Sequence, residues 1–320
     1  MRVLALLGAL IVACTSQPAQ SAATQSARAG ASASSYSCRL AVISWPSPTA
    51  RLAGYVTLPG GTFTAAGDAG SGMYYDRPLN RWVRGGPPAL SADGLSYAYS
   101  EGDTSSSRLH LLDLRSGGDQ VVASGGPWQP VGLDADWVYA MRVEYQDSVA
   151  YGQLQIGRGL WKASVGGGAP VQLTSDARYW AWVANGGAYG AGIMSDVAGA
   201  PNDVVRMDLR TLQTTTSLDK HARSRILAVD PHGAAFVMTD GADEELWRVT
   251  QSGNAMQVWS GSTSGIRPEQ PVALAGSEVW FSSSSLSQAW AVYHYSPLAG
   301  LQQVATFTDR PITVAGPCVV

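Results

Sequence analysis

Arginine is the side chain whose placement in this sequence most suggests a binding site. Short segments rich in Gly, Pro or Asp recur along the chain, and most of them carry an arginine. A planar guanidinium offers five N–H donors in a fixed fork, which matches the oxygens of carboxylate, sulfate and phosphate groups. Anion binding is therefore the chemistry that these segments could perform together. The candidate residues are Arg84, Trp128, Arg178, Arg223, Arg225, Arg267 and Arg310.

Catalytic chemistry is signalled less clearly. The chain has 4 histidines, and no Gly-x-Ser-x-Gly, His-Glu-x-x-His, phosphate-loop or dinucleotide-binding motif occurs in it. The acidic segment "DGADEE" at 240–245 lacks the regular alternation of oxygen ligands found in calcium loops, so we interpret it as a solvated hairpin tip. We interpret the histidines as structural and expect neither a metal ion nor another cofactor.

The composition indicates how such residues could be positioned. Hydrophobic residues make up 45% of the 320 positions, while 36 Gly and 17 Pro interrupt every long apolar run. That mixture favours short strands joined by many turns, and thus an all-β fold. With 21 basic and 24 acidic residues the chain is weakly acidic, which argues against nucleic acid as a partner.

The N-terminus has the pattern of an export signal. "MRVLALLGALIVAC" combines one basic residue with an apolar stretch too short to span a bilayer. It resembles the lipobox of bacterial lipoproteins, with Ile11, Ala13 and then Cys14. That resemblance implies a signal peptide at 1–13 and an acylated Cys14 that anchors the protein to a membrane. An ordinary signal peptide with a chance cysteine is the alternative. Residues 14–37 are rich in Ala, Ser, Thr and Gln and predict a flexible tether.

Internal repeats predict the architecture. A short apolar strand, a tight turn and a second apolar strand recur every 40–50 residues or so, and two further strands follow each pair. Four antiparallel strands at this period describe a β-propeller blade. The complete copies begin with 88–100, 130–141, 179–195, 226–239 and 271–283.

The chain ends supply a sixth blade. "PITVAGPC" at 311–318 aligns with "PVALAGSE" at 271–278, so it is a first strand whose second and third strands are 38–46 and 53–61. We therefore predict a six-bladed β-propeller over 38–320, closed by a composite N- and C-terminal blade. The alignment places Cys38 near Cys318, which in an oxidising compartment predicts a disulfide across the seam. Two buried free thiols are the alternative.

One repeat resembles a known family. "PALSADGLSYAYSEG" followed by "RLHLLDL" is similar to the TolB-type propeller repeat, with Ala92 in place of its usual proline. The resemblance covers the repeats between about 38 and 320 and implies the propeller fold. The stretch "YYDRPLNRWVRGGPPALSADG" also resembles exported bacterial propellers of unknown function.

The propeller prediction gives the arginines a common location. Loops that lead into the first strands of the blades gather at one mouth of the central channel. Five of these six loops carry arginine, and the sixth carries Trp128. We expect a membrane-anchored, extracytoplasmic, non-catalytic protein that binds a protein, glycan or small anion at this mouth. We expect the anchor to hold the protein at the outer face of the cytoplasmic membrane, or at an outer membrane where the cell has one.

Three alternatives to this interpretation stand. Asp176 and Asp309 could pair with the neighbouring Arg178 and Arg310, which would leave these arginines with a structural role. The mouth could instead hold the site of an exported hydrolase or lyase, with or without a metal ion. A scaffold in envelope assembly is the third.

Overall fold

The computed structural model describes most of the chain beyond residue 35. The described residues are 36–47, 50–70, 72–77, 80–103, 105–148, 152–192, 203–219, 223–240, 244–261, 266–285, 290–308 and 311–319. The expected signal peptide, Cys14 and Arg310 lie outside them, as do most of the expected tether and the centre of the acidic segment at 240–245.

Nearly all regular structure in these residues is β. In chain order the strands are β1 (Cys38–Ser47), β2 (Ala50–Leu58), β3 (Thr62–Ala65), β4 (Tyr74–Asp76), β5 (Arg81–Val83), β6 (Ser96–Gly102), β7 (Ser107–Asp113), β8 (Asp119–Gly126), β9 (Trp128–Leu133), β10 (Trp137–Ser148), β11 (Gly152–Ser164), β12 (Val171–Thr174), β13 (Tyr179–Ala184), β14 (Gly187–Ala191), β15 (Val204–Asp208), β16 (Thr214–Leu218), β17 (Arg223–Val229), β18 (Ala235–Asp240), β19 (Glu244–Val249), β20 (Ala255–Ser260), β21 (Ile266–Ala275), β22 (Glu278–Ser285), β23 (Trp290–Ser296), β24 (Gly300–Phe307) and β25 (Ile312–Val319). One 3₁₀ turn, Pro87–Ala89, precedes β6. In this part of the chain no helix has the length and apolar character needed to cross a bilayer.

The strands form a six-bladed β-propeller, as the repeats predict. Blade 1 is the sheet β25-β1-β2-β3, and blades 3 to 6 are the four-stranded sheets β9–β12, β13–β16, β17–β20 and β21–β24. Blade 2 is the three-stranded sheet β6-β7-β8. The first strands of blades 1 and 3 to 6 contact one another in sequence, and β6 contacts β9, so these strands surround the axis.

The seam between the chain ends is confirmed in detail. Strand β25 pairs antiparallel with β1, with Arg39 opposite Val319 and Ile43 opposite Thr313. A disulfide joins Cys38 to Cys318, whose Cα atoms lie 5.7 Å apart although 280 positions separate them in sequence. Apolar side chains from both strands pack with Trp280 of blade 6 in one cluster. The seam therefore ties the two ends of the chain to a neighbouring blade.

Tryptophans pack in the core around the inner strands of the blades. Trp180 of β13 and Trp280 of β22 are almost completely buried, at 1% and 2% exposure. Trp182 is also buried, and Trp137 is half-buried beneath the Lys162 ammonium, which lies 4.1 Å from the ring centroid.

Blade 2 departs from the prediction of four strands per blade. The segment at 88–100 was expected to begin with a first strand, but it begins in the Pro87–Ala89 turn. Only one bridge, between Leu90 and Tyr97, then joins it to β6. Proline has no N–H for a strand ladder and a fixed φ that suits the start of a helical turn, so the Pro87-Pro88 pair explains the missing strand.

Two features partly take the place of the missing strand. The turn contacts β9, β13 and β21, the first strands of three other blades, so it lies in the central channel. The hairpin β4–β5, which the repeat pattern does not predict, packs between blades 1 and 2. Its Tyr74 and Val83 join Tyr97 of β6 in one cluster, while Tyr75 and Trp82 pack against β1 and β25.

Removing the seam disulfide should destabilise the whole ring. For a closed loop this long, the chain-entropy relation gives an upper value of about 5 kcal/mol, and losses of about 2–5 kcal/mol are typical of native disulfides. The measurement is chemical denaturation of the Cys38→Ser/Cys318→Ser double variant, with Cys14→Ser as the matched cysteine control. Equal unfolding midpoints for the double variant and the parent chain would show that strand pairing alone closes the ring.

Candidate functional site

A cavity opens beside the incomplete inner side of blade 2. Its volume is about 370 Å³. One wall is the loop that carries Arg84, Gly85, Gly86, Pro88 and Ala89, and the opposite wall is β6 from Ala98 to Glu101. Met73 and Pro130 complete the lining. Both the loop and the end of β6 lie on the face from which the chain enters the first strands of the blades. The cavity is therefore on the predicted mouth face.

The cavity occupies the space in which the other blades have a first strand. Among the described residues, no strand pairs with the inner side of β6 beyond the bridge at Tyr97. The Leu95 carbonyl accepts from Leu114 on the β7 side, whereas the Ser96 carbonyl accepts from Ser91 on the inner side. Because backbone groups alternate along a strand, the N–H and C=O of Ser100 point toward the cavity.

Arg84 supplies positive charge at this cavity. It follows β5 directly and is exposed. Burial raises the pKa of Tyr97, and the backbone hydrogen bond and charge of Arg84 act in the opposite direction. The next residue, Gly85, passes so close to β6 that a Cβ there would lie 2.9 Å from Cδ2 of the Tyr97 ring. Glycine is thus required for the loop to approach the strand and to hold Arg84 at the edge of the cavity.

An acid–base cluster lies on β6, β7 and β8 beside the cavity. His110 is 7% exposed, and its Nδ1 lies 3.0 Å from Oδ1 of Asp119. Its Nε2 faces Oε2 of Glu101 at 3.5 Å, and Tyr99 stacks on its ring with centroids 4.8 Å apart. The Tyr99 hydroxyl donates to Asp119. These contacts fix the positions of Tyr99 and Glu101, which both line the cavity.

The Asp119 carboxylate of this cluster is held in its charged form. Burial opposes ionisation of Asp119, but hydrogen bonds from Tyr99 and His110, with the charge of Arg84 among the other contributions, lower its pKa below the usual value. Burial and the hydrogen bond to Asp119 raise the pKa of Tyr99 to about 12. At neutral pH Asp119 is thus an acceptor and Tyr99 a neutral donor. The cluster can orient polar groups at the cavity.

The other predicted residues that the structure describes lie at or near the starts of first strands, and their surroundings differ. Trp128 begins β9, Arg178 directly precedes β13, and Arg223 begins β17. Arg225 lies two residues further along β17, with its Nη2 3.9 Å from Oδ1 of Asp240. Arg267 lies in β21, where its side chain is outside the description, as is the whole of Arg310. The starts of successive first strands thus carry these residues on one face.

Trp128 is a core residue and not a wall of the mouth. Trp128 is 7% exposed, and its ring makes an edge contact with Trp161, with centroids 5.9 Å apart. The guanidinium of Arg142 lies 5.8 Å from the Trp128 ring centroid. The backbone of Trp128 does reach blade 2, because its carbonyl accepts from the Ser100 hydroxyl.

Arg178 has the structural role that the pairing alternative describes. Its Nε donates to Asp176 at 3.0 Å, and its Nη1 donates to Asp203 at 2.6 Å. The Arg178 side chain is only 14% exposed. Burial of Asp203 opposes ionisation, yet the hydrogen bond and charge of Arg178 lower the pKa of Asp203. Arg178 therefore holds the entry to β13 against the chain segment before β15.

His294 repeats the His110 arrangement in blade 6. It is 1% exposed, lies opposite Trp280 in the strand register, and its ring centroid is 4.3 Å from that of Trp280. Nδ1 lies 2.6 Å from the Tyr36 hydroxyl, and Nε2 lies 3.3 Å from Oε2 of Glu278. A neutral ring that accepts from Tyr36 and donates to Glu278 satisfies both contacts. Within the described part of the chain, no group of three or more His, Cys, Asp or Glu is arranged to hold a metal ion.

Comparison with known proteins places this fold among β-propellers. No protein-family model matches the chain, and no curated protein matches its sequence. TolB from Acinetobacter baumannii is similar in structure over 89% of this chain and 68% of its own, with a TM-score of 0.52 and 13% identity. The β-propeller domain of the Trilobed protease from Pyrococcus furiosus matches over 84% of this chain and 85% of its own, with a TM-score of 0.50 and 9% identity.

A peptidase shares the propeller as one part of a longer chain. The acylaminoacyl peptidase of Pyrococcus horikoshii matches over 80% of this chain, with a TM-score of 0.50 and 10% identity. The present chain spans 41% of that protein. At these identities the likeness establishes a TolB-like propeller fold, and binding and catalytic proteins both contain it.

Replacing Arg178 should affect folding and leave anion binding unchanged. We expect Arg178→Ala to lower the free energy of unfolding by about 1–3 kcal/mol, because it removes charged hydrogen bonds from a largely buried site. The matched control is Arg158→Ala, since the Arg158–Glu144 pair is similarly short, at 2.5 Å, but is half exposed. Exposed pairs of this kind contribute about 0–1 kcal/mol. Equal losses in denaturant unfolding for the two variants would contradict the structural role of Arg178.

The His294 site should make stability depend on pH. Burial lowers the pKa of His294, and the nearby Glu278 carboxylate only partly offsets this effect. Because the folded pKa lies below the unfolded value of about 6.5, the neutral ring contributes stability above that pH and loses it on acidification. We expect the melting temperature of the parent chain to fall more steeply between pH 7 and 5.5 than that of His294→Gln. A parent chain that gains stability relative to this variant on acidification would contradict the assignment.

Proposed function

We propose that this protein is a membrane-anchored, extracytoplasmic β-propeller that binds a ligand without transforming it. Its site is the cavity of about 370 Å³ between Arg84 and the open side of β6. The ligand carries a carboxylate or another small anionic group. The observation that carries this proposal is the position of an exposed arginine at a concave site on the mouth face.

The side chains around the cavity support binding in preference to catalysis. His110 faces carboxylates at both ring nitrogens, since Nδ1 lies 3.0 Å from Asp119 and Nε2 lies 3.5 Å from Glu101. Such a ring is oriented and held in place by its neighbours. The exposed Arg84 places a positive charge at the cavity, and a site that recognises an anion needs such a charge.

The proposed anchor is compatible with this site. The described structure starts at Tyr36, next to Cys38 and the turn side of blade 1, on the face opposite the cavity. Acylation of Cys14 would supply the membrane attachment.

Anion binding can be tested by thermal shift. Glutarate at about ten times its dissociation constant should stabilise the parent protein by about 1.4 kcal/mol, which corresponds to a shift of about 2–4 °C. Arg84→Ala should remove the shift. Arg210→Ala is the matched control, because Arg210 is also exposed but lies in the turn after β15 on the opposite face. A shift that persists in Arg84→Ala would contradict the proposed site.

A further inference from the structure

We infer that the open side of β6 is a docking site for a short extended peptide, which pairs with the strand and completes blade 2. This inference rests on the proposed function and specifies the ligand class. Among the residues that the structure describes, blade 2 has three strands, whereas each of the other five blades has four. The cavity lies along β6 where that strand would run.

The backbone of β6 offers the hydrogen bonds that a peptide strand needs. Ser100 directs its N–H and C=O toward the cavity by strand alternation, and the described residues place no strand against it there. Addition of a strand to an exposed sheet edge is an established mode of peptide recognition, in which main-chain hydrogen bonds supply affinity and side-chain pockets supply specificity.

The size of the cavity limits the length of the peptide. The lining part of β6 runs from Ala98 to Glu101, four residues that span about 13 Å in an extended strand. The partly exposed side chain of Met73 provides an apolar contact for one peptide side chain. A segment of three or four residues is therefore the occupant that fits.

Charge selects an acidic peptide. Arg84 is exposed at the loop wall of the cavity. On the opposite wall, the Glu101 carboxylate accepts a hydrogen bond from Arg108 at 3.0 Å, which partly neutralises it. An Asp or Glu side chain of the peptide, or its terminal carboxylate, would be attracted by the positive charge of the exposed Arg84.

The experiment is a binding assay with blocked pentapeptides on the full-length chain. Each pool has acetyl and amide ends, one Asp at a fixed position, and Val, Thr, Ser or Tyr elsewhere. We expect binding that falls at least tenfold when the peptide backbone is N-methylated, because methylation removes the N–H groups that pair with β6. Equal binding of the methylated pool would overturn the inference without any change to the protein.

Two substitutions of Ser100 test whether the peptide pairs with the backbone of β6. Ser100→Pro removes the N–H that faces the cavity, whereas Ser100→Ala keeps it and removes only the hydroxyl. Both lose the hydrogen bond from the Ser100 hydroxyl to the Trp128 carbonyl. We expect Ser100→Pro to weaken peptide binding at least tenfold and Ser100→Ala to weaken it less than threefold. Equal effects of the two substitutions would overturn strand pairing.

The outcomes separate this inference from the proposed function. A glutarate shift that depends on Arg84, with no peptide binding, would overturn peptide docking and leave the anion site in place. Loss of both signals would end both proposals. A concentration-dependent dimer that Ser100→Pro abolishes, with no peptide binding, would assign the edge to a second copy of the chain and overturn the peptide assignment.

Discussion

Pairing between the two ends of the chain is the interaction on which the rest of this structure depends. Strands β25 and β1 come from opposite ends, and their ladder converts a row of blades into a closed ring. Leu40 and Val42 of β1 and Val314 of β25 are completely buried in a cluster that also includes Trp280 of blade 6. Since the loops of different blades converge only in a closed ring, the mouth face exists because this seam holds.

The cavity results from a local exception to this regular ring. A Gly-Gly-Pro-Pro run occupies 85–88, where a first strand would have to start. Gly85 allows the chain to pass against Tyr97, and the prolines then impose a 3₁₀ turn that enters the central channel. The β4–β5 hairpin supplies apolar packing beside Tyr97, but no ladder pairs it with β6 in the described residues. Within the described residues, β6 is thus packed near Tyr97, while its inner edge at Ser100 faces the cavity.

The sequence predicts the ring better than it predicts the site. The number of blades follows from the internal repeats. The match between 311–318 and 271–278 predicts the composite blade and the Cys38–Cys318 pair. These features can be predicted from a single sequence because they follow from internal repeats and their alignment. Asp203 is different: it lies 25 positions from Arg178, and no periodicity signals their contact.

The two buried histidines show the same limit. Their matching places on third strands predict a shared structural role, and each does lie opposite an aromatic residue of the second strand. Their partners do not follow from the repeat. Tyr36 reaches His294 across 258 positions, and Asp119 reaches His110 from β8. For a related reason, the sequence does not show that blade 2 lacks a first strand. The segment at 88–100 has the apolar residues and turn of a normal repeat, and it differs in the second proline, Pro87, directly before it.

An open strand edge is normally a risk of aggregation, and the surroundings of β6 limit that risk. Exposed edges attract other sheets, and proteins protect them with prolines, charges or covering loops. Here Pro88 and Pro130 line the cavity at its sides, and the Arg84 loop covers the edge near Tyr97. Prolines and a covering loop of this kind hinder pairing with another sheet. The same features that protect the edge from association would therefore make it selective for a short peptide strand.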